Sequence, residues 1–149
     1  MRLLRTAILP LLLVATCVSA QDPVPFITAE DRFMVFANGR FEKIEPRPPR
    51  KLFAMEEQVV YLDNEGGLKA FFAEGRRLHM LQAGGVGDVK ATRQRIAWSS
   101  RDTLKTLRAG GAVMLARNVE QFTLSDSLIV LLDSAEHELN VLWRGRTIP

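Results

Sequence analysis

Four apolar pairs recur down this chain at nearly constant spacing, and that recurrence constrains the fold more than any single residue does. Phe33, Leu68, Leu104 and Leu139 follow one another at intervals of 35, 36 and 35 residues. Each is followed three positions later by a second apolar residue: Phe36, Phe71, Leu107 and Leu142. Glycine then closes each pair, at Gly39, Gly75, Gly110 or Gly111, and Gly145, where a hairpin turn needs a residue that tolerates positive φ. About seven residues upstream of each marker lies a run rich in β-branched and aromatic side chains: Phe26-Ile27-Thr28, Val59 to Leu62, Ile96 to Ser99, and Leu128 to Leu132. Runs of this kind, bounded by polar turns, read as strands.

The second copy shows the unit most clearly. Gln58 to Asp63 forms one strand, Asn64-Glu65-Gly66 turns, and Gly67 to Phe72 returns. After Gly75, Arg76 to Leu81 reads as a third strand, with a looser fourth at Val89 to Thr92 leading into the next copy. Helix does not compete. Outside Val113 to Leu124, no stretch beyond the leader keeps an apolar stripe at the helical period without a Gly or Pro, and that stretch reads as two strands. The sequence therefore predicts an all-β chain of about four antiparallel meander repeats of ~35 residues, β-propeller-like in arrangement. A rolled sheet, a barrel and a sandwich are the alternatives. On this count the first unit lacks an outer strand, and the last has room for three strands.

Residues 1–20 read as a cleavable signal peptide, leaving 21–149 as the all-β domain. Arg2 and Arg5 supply the positive region, Ala7 to Val14 a short apolar core, and Val18-Ser19-Ala20 the cleavage site. That core is too short to span a bilayer, which takes about 20 apolar residues. Cys17 offers a rival reading as a lipid anchor, but Thr16 stands where a lipoprotein signal needs Gly, Ala or Ser. The processed chain would hold no cysteine, so its core must rest on apolar burial without disulfides. It would also carry eighteen basic against seventeen acidic residues, a net charge of +1 in place of the +3 of the whole chain. That balance lacks the basic footprint of a nucleic-acid binder. Strands of about six residues fall short of the ~9 to 11 that an outer-membrane barrel needs. The expectation is an exported domain, periplasmic or extracellular, with no transmembrane segment after cleavage.

The pattern Val-Val-Tyr-x-Asp-x-x-Gly-x-Leu-x-x-Phe at 59–71 resembles the blade repeat of exported propeller-like proteins of unknown function from Bacteroidetes. Leu131-x-Asp133 followed by Leu139-x-x-Leu142 keeps the spacing, whereas Trp98-x-Ser100 lacks the Asp. The resemblance covers most of the chain beyond the leader. Its motif is one of packing and turns, so it implies a fold and carries no activity.

Among candidate sites, the cluster Ala83-Gly84-Gly85-Val86-Gly87-Asp88-Val89-Lys90 fails as a phosphate cradle. Asp88 takes the place of the lysine, and no helix follows. It reads as a flexible link, and Glu45-Pro46-Arg47-Pro48-Pro49-Arg50-Lys51 as a stiff one or as an extended recognition segment. His79 and His137 show no metal-ligand spacing, and no serine has an assignable base. Neither a metal site, a cofactor nor a catalytic residue is therefore assigned. Asp63, Asp102 and Asp133 occupy similar places in successive units. They serve as turn-starting aspartates or, gathered in one cleft, as the paired acids of a glycosidase. Tyr61 and Trp98 match the period and read as core, while Trp143, flanked by Arg144 and Arg146, is the aromatic best placed to stack on a ligand. The binding residues expected are thus Trp143, Arg144, Arg146, Asp63 and Asp133. The function expected is a non-enzymatic binding or scaffold module for a protein or glycan, in some form a homodimer. A small carbohydrate-active hydrolase is the alternative.

Overall fold

The computed structural model describes residues 22–143 and 146–148, which form four antiparallel sheets. The leader at 1–20, with Cys17 and the cleavage point, lies outside the described residues, as do Arg144 and Gly145. The first sheet holds β1 (Val24–Ile27), β2 (Phe33–Ala37) and β3 (Arg40–Glu45). The second holds β4 (Lys51–Ala54), β5 (Gln58–Leu62), β6 (Leu68–Phe72) and β7 (Arg77–Gln82). The third comprises β8 (Val86–Ala91), β9 (Ile96–Ser100), β10 (Thr103–Arg108) and β11 (Gly111–Ala116). The last comprises β12 (Val119–Leu124), β13 (Leu128–Asp133), β14 (Leu139–Trp143) and β15 (Arg146–Ile148). Within each sheet the strands pair in chain order, so every connection is a hairpin and every sheet a meander.

The all-β repeat is as the period predicts, with one systematic shift. The strand near Val89 to Thr92 belongs to the third sheet as β8, paired with β9, and is no fourth strand of the second. In the same way Lys51–Ala54 opens the second sheet, and Val119–Leu124 opens the last, which therefore has four strands where the sequence left room for three. The apolar markers lie on later strands of each unit, so their spacing carries no information about which neighbour the less apolar opening strand joins. Among the described residues the first sheet has three strands.

Turn chemistry sets the hairpin registers. Asn38-Gly39 (φ 51° and 75°) and Ala109-Gly110 (φ 46° and 79°) are two-residue turns with both residues left-handed. This geometry matches the twist of the flanking strands. Gly110, not Gly111, is the left-handed glycine of its turn.

Side chains alternate across each strand, and both faces of the inner sheets are apolar. On β5, Val59 and Tyr61 point back toward the first sheet while Val60 and Leu62 point forward to the third. Three cores result, one per seam. Phe33, Val35 and Ala37 meet Tyr61 and Phe71; Leu68 and Ala70 meet Ile96 and Trp98; Ala97 and Leu104 meet Ile129 and Leu142. The first marker of the repeat faces forward and the second backward. Each buried Leu or Phe of this set contributes about 1.5–3 kcal/mol by leaving water. Among the described residues no helix is long and apolar enough to cross a membrane.

Candidate functional site

A cleft of about 540 Å³ lies at the loop end of the first seam. Its walls are the connection after β3 (Glu45, Pro46, Arg47, Pro49), the β5–β6 turn (Asp63, Asn64, Glu65) and Lys69 on β6. Two prolines stiffen the first wall, and Asn64 ties it to the second by donating from Nδ2 to the carbonyl of Pro48 at 2.8 Å.

Asp63 ends up here because its carboxylate organises the turn that follows it. Oδ1 accepts the backbone N–H of Glu65 at 2.9 Å and of Gly67 at 2.7 Å, the local pattern that makes aspartate a turn-starting residue. Gly67 is needed for closeness, because a Cβ there would lie 2.9 Å from Oδ2. That second oxygen faces Lys69 at 3.0 Å. The ammonium reaches Glu45 Oε1 at 2.7 Å on its other side, and the same oxygen accepts the hydroxyl of buried Tyr61 at 2.9 Å. The result is a chain of contacts, Tyr61 to Glu45 to Lys69 to Asp63, crossing from the first sheet to the second.

The titration of these groups follows from their contacts. Burial pushes the Asp63 carboxyl up, but hydrogen bonds from Lys69, Gly67 and Glu65 outweigh it and hold the group below the usual carboxylate value. Lys69 is raised, chiefly by its hydrogen bond to Glu45, against the opposing effect of burial. Burial, then the neighbouring Glu45 and Asp63, drives the Tyr61 phenol far above its ordinary value. The cleft is therefore charged, internally neutralised in large part, and built to hold Asp63 ionised at neutral pH.

A second cleft of about 440 Å³ repeats the arrangement at the next seam, lined by Gln82, Ser100, Arg101, Asp102 and Lys105 among others. Lys105 donates to Gln82 Oε1 at 2.8 Å, as Lys69 does to Glu45. Asp102 lines this second cleft and Asp63 the first, so the two do not converge. Register places Asp133, not Asp102, at the position of Asp63: Leu62 pairs with Leu68, and Leu132 with Leu139. Asp133 holds its own turn through the N–H groups of Ala135 and Glu136 at 2.7 and 3.2 Å.

Tyr61 and Trp98 are fully buried. Trp143 pairs with Leu128 and Arg146 across the last sheet, remote in sequence from the cleft. Its counterpart in the second sheet is Phe72, which pairs with Gln58, so Trp143 occupies a regular position of the repeat. Arg146 is exposed. His79 packs edge-on to Phe72, with centroids 5.2 Å apart, and His137 sits in the Asp133 turn with φ 55°. Among the described residues no group of three or more His, Cys, Asp or Glu is placed to hold a metal ion. Glu45 and Lys69 were not singled out from the sequence. In the sequence Glu45 reads only as the start of a linker, and the one usable signal is the matched spacing of Lys69 and Lys105, each directly after a marker leucine.

Stacked four-stranded meanders with a core at each seam are propeller blades, and residues 17–149 match the 10-bladed beta propeller domain. The chain belongs to that family. Among curated proteins no sequence matches it. Among solved structures, this propeller chain is similar to the N-terminal domain of Nup159, with a TM-score of 0.51 and 13% identity over 81% of the chain. It is also similar to a chain of an S. cerevisiae assembly of a Dbp5 variant bound to Nup159, a Gle1 variant, IP6 and ADP, with a TM-score of 0.48 and 13% identity over 87% of the chain. The propeller chain spans 38% and 44% of those two chains.

Proposed function

We propose that this propeller domain is an exported, non-enzymatic binding or scaffold module that recognises a protein through the cleft at its first seam. A glycan is the second candidate ligand. Export through the leader at 1–20, to the periplasm or beyond the cell, belongs to the same proposal, as does assembly into homodimers.

One observation carries the binding reading. Two of the cleft's carboxylates, Glu45 and Asp63, are drawn together and bridged by the ammonium of Lys69. A glycosidase needs one carboxyl pushed up so that it stays protonated as the general acid, whereas Asp63 is pushed down. What the cleft offers instead is a stiff, neutralised floor with Arg47, Asn64 and Glu65 exposed at its mouth, a set of polar groups suited to fixing the orientation of a docked loop.

The test is a quantitative pull-down from envelope extracts with the wild-type chain and the double variant Arg47→Glu, Glu65→Lys. The wild type is expected to retain one stoichiometric protein, and the variant to lose it by at least ~10-fold. Retention of a glycan with no protein would move the reading to the second candidate. Glycoside hydrolysis that disappears in Asp63→Asn would overturn it in favour of the hydrolase.

A further inference from the structure

Every seam inside this molecule has the same polarity. The forward face of one sheet, carrying the first marker of the repeat, packs on the backward face of the next, carrying the second. Phe33, Leu68 and Leu104 are each 0% exposed as a consequence. Leu139 holds the same repeat position and is 73% exposed, because among the described residues no sheet stands in front of the last one. Pairing across β13, β14 and β15 puts Leu132, Val130, Val141 and Ile148 on that same forward face.

The opposite end shows the converse. On β2, Phe33, Val35 and Ala37 enter the first core, so Met34 and Phe36 face away from it. Register adds Val24 and Phe26 from β1 and Phe41 from β3. Here Phe41 is 67% and Val24 51% exposed. Three phenylalanines form an open cluster, with Phe41 5.7 Å from Phe26 and 4.9 Å from Phe36 between centroids. Phe36 is the first-unit counterpart of Phe71 and Leu142, which are 3% and 5% exposed in their seams. The two end faces are mainly apolar, with Lys43 opposite Met34 on one and Arg146 opposite Trp143 on the other, and exposed apolar surface of this kind is the usual mark of an interaction surface.

We propose that these faces bind each other between molecules: the forward face of the last sheet in one copy packs on the backward face of the first sheet in a second copy. The occupant is a second copy because each end face finds its complement on this chain, in the same strand positions that already form three seams. Such an interface is heterologous, joining different surfaces of the two partners. Among the described residues the stack has four sheets, and the outer faces of its first and last sheets are uncovered. This pairing gives the homodimer of the preceding section a surface and a polarity. It is separate from the cleft, so a chain that stayed monomeric would overturn the pairing and leave the binding reading intact.

The experiment is solution mass by light scattering on the purified chain, its variants Phe41→Asp and Leu139→Asp, and an equimolar mixture of the two. Both residues are exposed in the single copy, and circular dichroism of each variant checks that it keeps its β-structure. The wild type is expected at two chains or more, and each variant alone at one, with self-association weakened by at least ~10-fold. The mixture is expected to regain two chains, because one variant retains an intact forward face and the other an intact backward face. Three outcomes would sink the proposal: a monomeric wild type, a folded variant that still dimerises alone, or a mixture that stays monomeric. The second of these would point to like faces pairing with like.

Discussion

At the first seam Lys69 lies between two carboxylates, and at the second its counterpart Lys105 meets an amide, with Ser100 where the first has Asp63. Strand, register and reach are the same, since each lysine directly follows a marker leucine and contacts the last residue of the closing strand of the preceding sheet, Glu45 or Gln82. The charge is not the same. The comparison separates what the repeat imposes, an aliphatic arm stretched along the seam rim, from what one copy has added, an ion cluster with an aspartate held in its charged form. Among the described residues, only the first seam combines that cluster with a proline-stiffened wall.

The largest effect should come from what the repeat gives every seam, a buried marker residue. Leu68 in the second seam and Leu104 in the third are equally buried, so Leu68→Ala and Leu104→Ala should each cost about 3 kcal/mol, within the usual 2–5 for such cavities. Urea denaturation monitored by tryptophan fluorescence would show it, because Trp98 lies in the second core. A difference of more than about 2 kcal/mol between them would break the equivalence of the seams.

Next comes what the seams do not share. Asp63→Ala removes the acceptor of two backbone N–H groups and one ammonium, and a loss of about 2 kcal/mol is expected. Ser100→Ala, at the same register in the next sheet, should cost under about 0.5 kcal/mol, as for a surface substitution away from any special contact. The acid limb of stability should differ accordingly. Because the Asp63 carboxyl is held below its unfolded value, its contribution is present above the unfolded pKa and is lost as pH falls through the folded one. Asp63→Asn should therefore flatten the acid limb of the melting-temperature profile, while Ser100→Ala leaves it unchanged. Lys69 works in the other direction: its raised pKa makes its contribution complete below the unfolded lysine value and lost only as pH climbs through the folded one.

The fold was legible in this sequence because the repeat gives each sheet two markers three residues apart, and on a strand that spacing sends the two side chains to opposite faces. A residue period alone could thus announce a stack of sheets buried on both sides. The sheet boundaries were not legible, since Lys51–Ala54 and Val86–Ala91 carry charges and glycine in place of an apolar alternation, and only pairing tells which neighbour they join. The site was half legible. Asp63 stood out by its turn, but Glu45 lies 24 residues from Lys69, and nothing local to either announces the other. The exposed end faces were hidden for a different reason. Leu139 and Phe36 are written in the same letters as their buried counterparts, and exposure depends on whether a further sheet exists beside them.

The smallest effect is also the most discriminating test of the cluster. Lys69→Met keeps most of the aliphatic arm and removes the charge, so packing along the rim is nearly conserved. Side chains here are 10% to 23% exposed, which leaves the ion contacts only partly screened, and the loss should be about 1–2 kcal/mol. Lys105→Met removes one hydrogen bond to an amide and should cost about 0.5 kcal/mol or less. The difference in stability is small, but the titration is not symmetrical. Without the ammonium, Asp63 keeps its burial and loses its strongest counterweight, so its carboxyl should move up toward or above the ordinary value. Carbon-13 NMR of the aspartate carboxyls in the two variants would follow that movement. A shift in Lys69→Met and none in Lys105→Met would confine the ionised cluster to the first seam, whereas a shift in neither would mean that the turn alone, through Glu65 and Gly67, keeps Asp63 charged.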